Sequence, residues 1–126
     1  TYLFDGTLDF INGLKNKYRL HIITNGFEEV QNFKVVNSGL KTYFQNIFTA
    51  EKIGFKKPHP RIFLTAIESV NTSAYNSIMI GDSLEADIQG ALDVGMQAVH
   101  FNTHNELEHN QCPIVYSMDE LNQIFI

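Results

Sequence analysis

At 126 residues, with nine basic and fourteen acidic side chains and a net charge of −5, the chain has one domain's worth of length, short for an α/β enzyme that also carries a substrate-binding insertion. No basic run tracks a phosphate backbone, which argues against nucleic acid as a partner, and no apolar run approaches the roughly 20 residues of a membrane span. No signal-peptide pattern is present and the single cysteine, Cys112, has no partner for an internal disulfide, so a cytoplasmic protein is the expectation.

In chain order, a short apolar lead reaches Asp5-Gly6-Thr7, where Asp5 or Thr7 caps a helix whose apolar positions Ile11, Leu14 and Tyr18 share one face. Arg19 to Thr24 is a nearly continuous apolar run that breaks at Asn25-Gly26, the pattern of a strand buried on both faces. A helix is expected over residues 27–37, closed by Gly39. Ile47 to Ala50 reads as a short strand, and Glu51 to Pro60 as a loop. Pro60 suits the first turn of the next helix, in which Ile62, Phe63, Ala66, Ile67 and Val70 form an apolar stripe.

Ser77 to Asp87 follows as strand, acidic turn and helix. The apolar run ends in Gly81-Asp82, and Leu84, Ile88, Ala91 and Leu92 recur at helical spacing until Gly95. Met96 to Phe101 is another strand, Pro113 to Tyr116 a last short one, and Met118 to Phe125 a terminal helix. Strands alternating with helices imply a parallel sheet with helices on both faces, in which Asp82 and Asp87 point toward the crevice at the carboxyl ends of the strands.

Three polar sites fall at equivalent ends of that architecture. A hydroxyl and backbone amides at Thr24-Asn25 can hold a phosphate oxygen, Lys57 supplies a compact positive charge, and Asp82 with Asp87 suits a hard cation that keeps waters and a phosphate as its other ligands. Each has a duller reading: Thr24 as a helix cap, Lys57 as a solvated loop lysine, Asp87 as a carboxylate favoured by a helix N-terminus. Their joint order along the chain favours a phosphate-plus-metal pocket.

Ile22 to Gly26, Gly54 to Phe63 and Ile80 to Ala91 together resemble the second, third and fourth motifs of the haloacid dehalogenase-like hydrolases, and within them bacterial capped phosphatases of the 5′-nucleotidase type. The resemblance covers nearly the whole chain. It implies a three-layer Rossmann-like α/β core and Mg²⁺-dependent hydrolysis of a phosphomonoester through an aspartyl-phosphate. By that match Thr24 holds the transferred phosphoryl group with Asn25, and Lys57 neutralises phosphate and nucleophile charge. Asp82 ligates Mg²⁺, and Asp87 completes or orients the metal site. The substrate implied is a small phosphorylated metabolite such as a nucleoside monophosphate.

The family's first motif, a strand ending in two aspartates one residue apart, is matched only in part. Aligning Leu3-Phe4-Asp5-Gly6-Thr7-Leu8 with it puts Leu3 in the nucleophile's place, and leucine cannot attack phosphorus. Asp5 is therefore expected in a loop and cap role. Residues 1–126 are expected to be the later part of the core domain, lacking the nucleophile strand and the cap and inactive alone. The missing initiator Met points the same way. The alternative is a non-catalytic metal-binding α/β module. His100, His104, His109 and Cys112 lie close together, but their gaps match no paired zinc-ligand pattern, and no Gly-x-Ser-x-Gly turn marks a serine hydrolase.

Overall fold

The computed structural model describes residues 13–14, 17–26 and 44–125. Strand β1 (His21–Thr24) pairs in parallel with β2 (Asn46–Thr49), with Thr24 opposite Thr49. A second parallel sheet has the order β3 (Ile78–Gly81), β4 (Gln97–Phe101), β5 (Ile114–Val115), with Gly81 opposite His100 and Phe101 opposite Val115. β1 and β3 are not hydrogen-bonded to each other. Both line a cavity of about 580 Å³, with Ile22 and Ile23 from one strand and Ile78, Met79 and Ile80 from the other.

Successive side chains of a strand point to opposite faces, and here both faces are covered. Ile80 packs with Val99, Leu121 and Leu14 on one side, while its neighbour Met79 packs with Ile62, Phe63, Ile67 and Ala91 on the other. That makes three layers, as the alternation of strands and helices implies. The expected helix over residues 27–37 and the Asp5 cap lie outside the described residues. Among the described residues, no helix is long and apolar enough to cross a membrane.

Two helices pack on the Met79 side of the sheet. The stretch expected as a loop after β2 begins instead with a one-turn helix, α1 (Ala50–Ile53). Thr49 caps it by accepting the Lys52 N–H at 3.2 Å, and Gly54 closes it at φ 92°, a conformation that suits a residue without Cβ. α2 (Pro60–Ser69) starts at Pro60, and the His59 ring accepts the Arg61 N–H at 3.0 Å. Its buried residues Ile62, Phe63, Ala66 and Ile67 belong to the apolar stripe read from the sequence, whose last member, Val70, lies past the helix as its half-buried C-cap.

The helix behind β3 departs from regular geometry. Leu84–Gln89 is π-helical and runs directly into an α-helical turn, Gly90–Asp93; together they are α3. The Ser83 carbonyl accepts both the Asp87 N–H at 3.0 Å and the Ile88 N–H at 3.1 Å, so the first turn is wider than an α-turn. A Cβ on Gly90 would lie 2.6 Å from the Phe63 ring, so glycine is what lets α3 approach α2 so closely. α4 (Met118–Phe125) covers the other face through Leu121.

Candidate active site

Lys57 is fixed from three directions. The Asn25 carboxamide brackets its backbone, Oδ1 accepting the Lys57 N–H at 2.6 Å and Nδ2 donating to the Lys57 carbonyl at 3.2 Å. Its ammonium then reaches Asp87, donating to Oδ1 at 2.5 Å in a pair whose side chains are only 12% and 7% exposed. The second Asp87 oxygen accepts the Ser83 N–H at 3.2 Å. The wide π-turn and Gly81 both serve this carboxylate: a Cβ at position 81 would overlap the Asp87 side chain. Thr24 accepts the Gly26 N–H at 3.1 Å, which leaves its own hydroxyl proton free to donate.

Asn25 therefore spends both polar side-chain atoms on the loop that carries Lys57. Its contribution through the side chain is to place the lysine. The structure thus joins Asn25, Lys57 and Asp87 into one connected group, with Thr24 adjoining it at the end of β1.

Asp82 is a different kind of carboxylate. It follows β3, its side chain is 54% exposed, and one oxygen, Oδ2, accepts from His104 Nε2 at 3.0 Å. Because a carboxylate only accepts, His104 carries its proton on Nε2. Asp82 Oδ1 takes no hydrogen bond from any described residue. No three His, Cys, Asp or Glu among the described residues converge into a metal cage. A hard oxygen at the sheet's carboxyl edge nonetheless fits Mg²⁺, which is held by one or two carboxylates and keeps its remaining positions for water and phosphate. Glu85, one turn on, is exposed.

The histidines do not form the zinc constellation weighed from their proximity. His104 leaves the group for Asp82, while His100, fully buried on β4, joins a hydrogen-bonded chain. Its Nε2 donates to Glu106 Oε1 at 3.1 Å, so its Nδ1 accepts from His109 Nε2 at 3.0 Å, and His109 Nδ1 in turn accepts the Gln111 N–H at 3.2 Å. Every ring nitrogen of the two histidines has a partner. Glu106 Oε1 also accepts the Leu84 N–H at 3.1 Å, tying the loop after β4 to the start of α3. Glu106 and Asn102 carried no sequence signal, since neither belongs to a motif and their partners are set by the fold.

A haloacid dehalogenase-like hydrolase family model matches residues 1–101. The HAD-hydrolase YfnB of Bacillus subtilis (strain 168) is 32% identical over 124 residues, 98% of this chain and 53% of that protein. Its magnesium-bound crystal structure superposes with a TM-score of 0.89 over 97% of this chain and 55% of that one, at 33% identity. The pyrimidine 5′-nucleotidase YjjG of Escherichia coli (strain K12) is 28% identical over 120 residues, 94% of this chain and 53% of that enzyme. The glyceraldehyde 3-phosphate phosphatase of Pyrococcus abyssi is 40% identical over 84 residues, 67% of this chain and 35% of that one. The chain thus spans about half the length of the first two of these relatives. With its parallel three-layer core and matching family model, the chain belongs to the haloacid dehalogenase-like hydrolases.

Proposed function

We propose that residues 1–126 are the later part of the core domain of a cytoplasmic, Mg²⁺-dependent phosphomonoester hydrolase that works through an aspartyl-phosphate, with a small phosphorylated metabolite of the nucleoside monophosphate class as substrate. The observation that carries this reading is the buried Lys57–Asp87 pair beside the exposed Asp82 at the carboxyl edge of the sheet. The relatives, a pyrimidine 5′-nucleotidase and a glyceraldehyde 3-phosphate phosphatase among them, support a small phosphorylated substrate, and the first of them favours a nucleoside monophosphate.

Lys57 presents a charge already held in place, so a phosphoryl group binds with little reorganisation of the site. Asp87 orients the ammonium, and Asn25 fixes the backbone from which it leaves. Thr24 donates its hydroxyl proton to a phosphoryl oxygen. Asp82 would hold Mg²⁺, with Asp87 orienting that side of the site, and the metal when bound would supply positive charge to the phosphoryl oxygens. An aspartate carboxylate from a strand outside these residues attacks phosphorus in line. The ester P–O bond breaks and the leaving alkoxide takes a proton from a second acid; water then cleaves the acyl phosphate to inorganic phosphate and free carboxylate. Among the described residues, β1 and β3 each keep an edge that no strand pairs, and both line the apolar cavity, which suits such a strand.

The test is to assay the intact protein against a panel of phosphate esters with and without Mg²⁺. Metal-dependent release of phosphate, with transient labelling of an aspartate upstream of Thr1, is expected. Turnover by residues 1–126 alone that Asp5→Asn abolishes would overturn the assignment of the nucleophile.

A further inference from the structure

His104 lies outside every motif that carries the family resemblance, yet it is delivered to Asp82 by a braced loop. Asn102, buried at the end of β4, clamps the loop with two bonds to the same residue: its Oδ1 accepts the Glu106 N–H at 2.9 Å and its Nδ2 donates to the Glu106 carbonyl at 2.9 Å. Asn105 turns the chain at φ 57°, a left-handed conformation that asparagine tolerates better than most residues. The Glu106 carboxylate is itself held by buried His100 and by the Leu84 N–H. The loop is therefore anchored to β4 and to α3, the two elements beside Asp82, and His104 sits at its tip.

We propose that His104 is a positioning residue that makes the Asp82 site selective for Mg²⁺ over Ca²⁺, an inference that rests on the reading of Asp82 as a metal ligand. The reason is geometric. By donating to Oδ2, His104 occupies one carboxylate oxygen and leaves Oδ1 alone for a cation. Mg²⁺ demands near-octahedral geometry and accepts single oxygens, whereas Ca²⁺ takes more ligands and readily uses a carboxylate through both oxygens. A carboxylate locked to one-oxygen ligation therefore favours the smaller ion, and releasing it removes the discrimination.

The test is calorimetric titration of the intact protein with Mg²⁺ and, separately, Ca²⁺, for the wild type, H104A, H104Q and D82N. H104A is expected to weaken Mg²⁺ binding by about tenfold, the scale of lost outer-shell support, while Ca²⁺ binding holds or tightens, so the Mg²⁺/Ca²⁺ preference collapses. H104Q, whose amide N–H can reach the same oxygen, is expected to restore most of it. D82N should abolish binding of both ions. An unchanged ion preference in H104A alongside loss of binding in D82N overturns the role of His104 alone. Retained Mg²⁺ affinity in D82N overturns the underlying metal assignment instead. A preference lost in H104A and not recovered in H104Q, with circular dichroism showing a disturbed fold, also counts against the proposal, since His104 would then act on the loop and not on Asp82.

Discussion

Asp82 and Asp87 are five positions apart on one strand-turn-helix, and the fold makes opposite things of them. Asp87 is buried with both oxygens engaged, by Lys57 and by the Ser83 amide, whereas Asp82 stands half-exposed with one oxygen held by His104 and the other accepting from no described residue. A carboxylate already saturated by protein donors is suited to placing a cationic side chain. One that keeps an open oxygen at the mouth of the crevice is suited to an ion from solution. The lesson is that chemical role follows the donors the fold brings to each oxygen, not residue type or proximity in sequence.

The largest expected effect comes from removing the charge that Asp87 holds. Lys57→Ala should lower turnover of the intact enzyme by about 10²-fold or more, the scale of losing one fixed donor to a developing charge, while Lys56→Ala, at an exposed neighbour, should be mild. Steady-state rates for the two variants decide it, and the reverse ranking would mean that the wrong lysine faces the substrate.

Breaking the buried pair from the other side is a stability experiment. Asp87→Ala leaves the Lys57 ammonium without its carboxylate in a site where both side chains are largely buried, and should destabilise the fold by about 3 kcal/mol in urea titrations. Asp82→Ala, at an exposed carboxylate, should cost well under 1 kcal/mol. Equal losses for the two variants would erase the contrast between them. The apolar double variant Lys57→Met with Asp87→Leu sharpens it further, since well-packed apolar replacements of a buried pair tend to recover stability while leaving the enzyme inactive.

Gly81→Ala probes how closely β3 and Asp87 approach. The added methyl meets the Asp87 side chain, so a cost of about 2 kcal/mol is expected, together with a fall in turnover as the carboxylate is pushed from Lys57. Wild-type melting and activity in this variant would show that Asp87 has room to retreat.

The smallest effect belongs to His21, remote from this contrast. Burial, and after it the Arg19 charge, hold the imidazole below its ordinary value of 6.5, and its buried Nε2 has no hydrogen-bond partner among the described residues. The unfolded chain then takes up a proton below pH 6.5 that the folded chain resists. His21's contribution to stability is level above that value and declines as the pH falls from it toward the folded pKa. Urea midpoints at about pH 7.5 and about pH 5.5 should differ less in His21→Leu than in the wild type; an identical difference would assign the acid sensitivity to other groups.

Much of the architecture is legible from residue pattern alone. The apolar runs ending at Thr24 and Gly81, Pro60 opening α2, Gly95 at φ 89° beyond α3 and the span of α4 all follow from local chemistry, because burial period, fixed φ and positive φ are properties of a few adjacent residues. Ala50 to Ile53 was less legible, since a single helical turn has too few residues to show a period and its cap, Thr49, is also the last residue of a strand. The π-turn at Leu84–Gln89 was hidden for a related reason: over six residues the apolar spacing of a wide turn and of an α-turn coincide.

Of the candidate site, sequence order alone singled out Thr24, Asn25, Lys57, Asp82 and Asp87, because their residue types recur at strand ends and helix starts where phosphate and metal chemistry is built. Only the tertiary structure decided how they divide the work. The commitment of Asn25 to the Lys57 backbone, the closing of Lys57 on Asp87, and the reach of His104 to Asp82 across 22 positions depend on which strand ends the sheet sets side by side. Hydrogen bonds of that kind have no sequence period. They are fixed by the parallel packing of β3 beside β4 and by the chain from His109 through buried His100 to Glu106, which hold the loop where a local reading shows only a polar stretch rich in histidine.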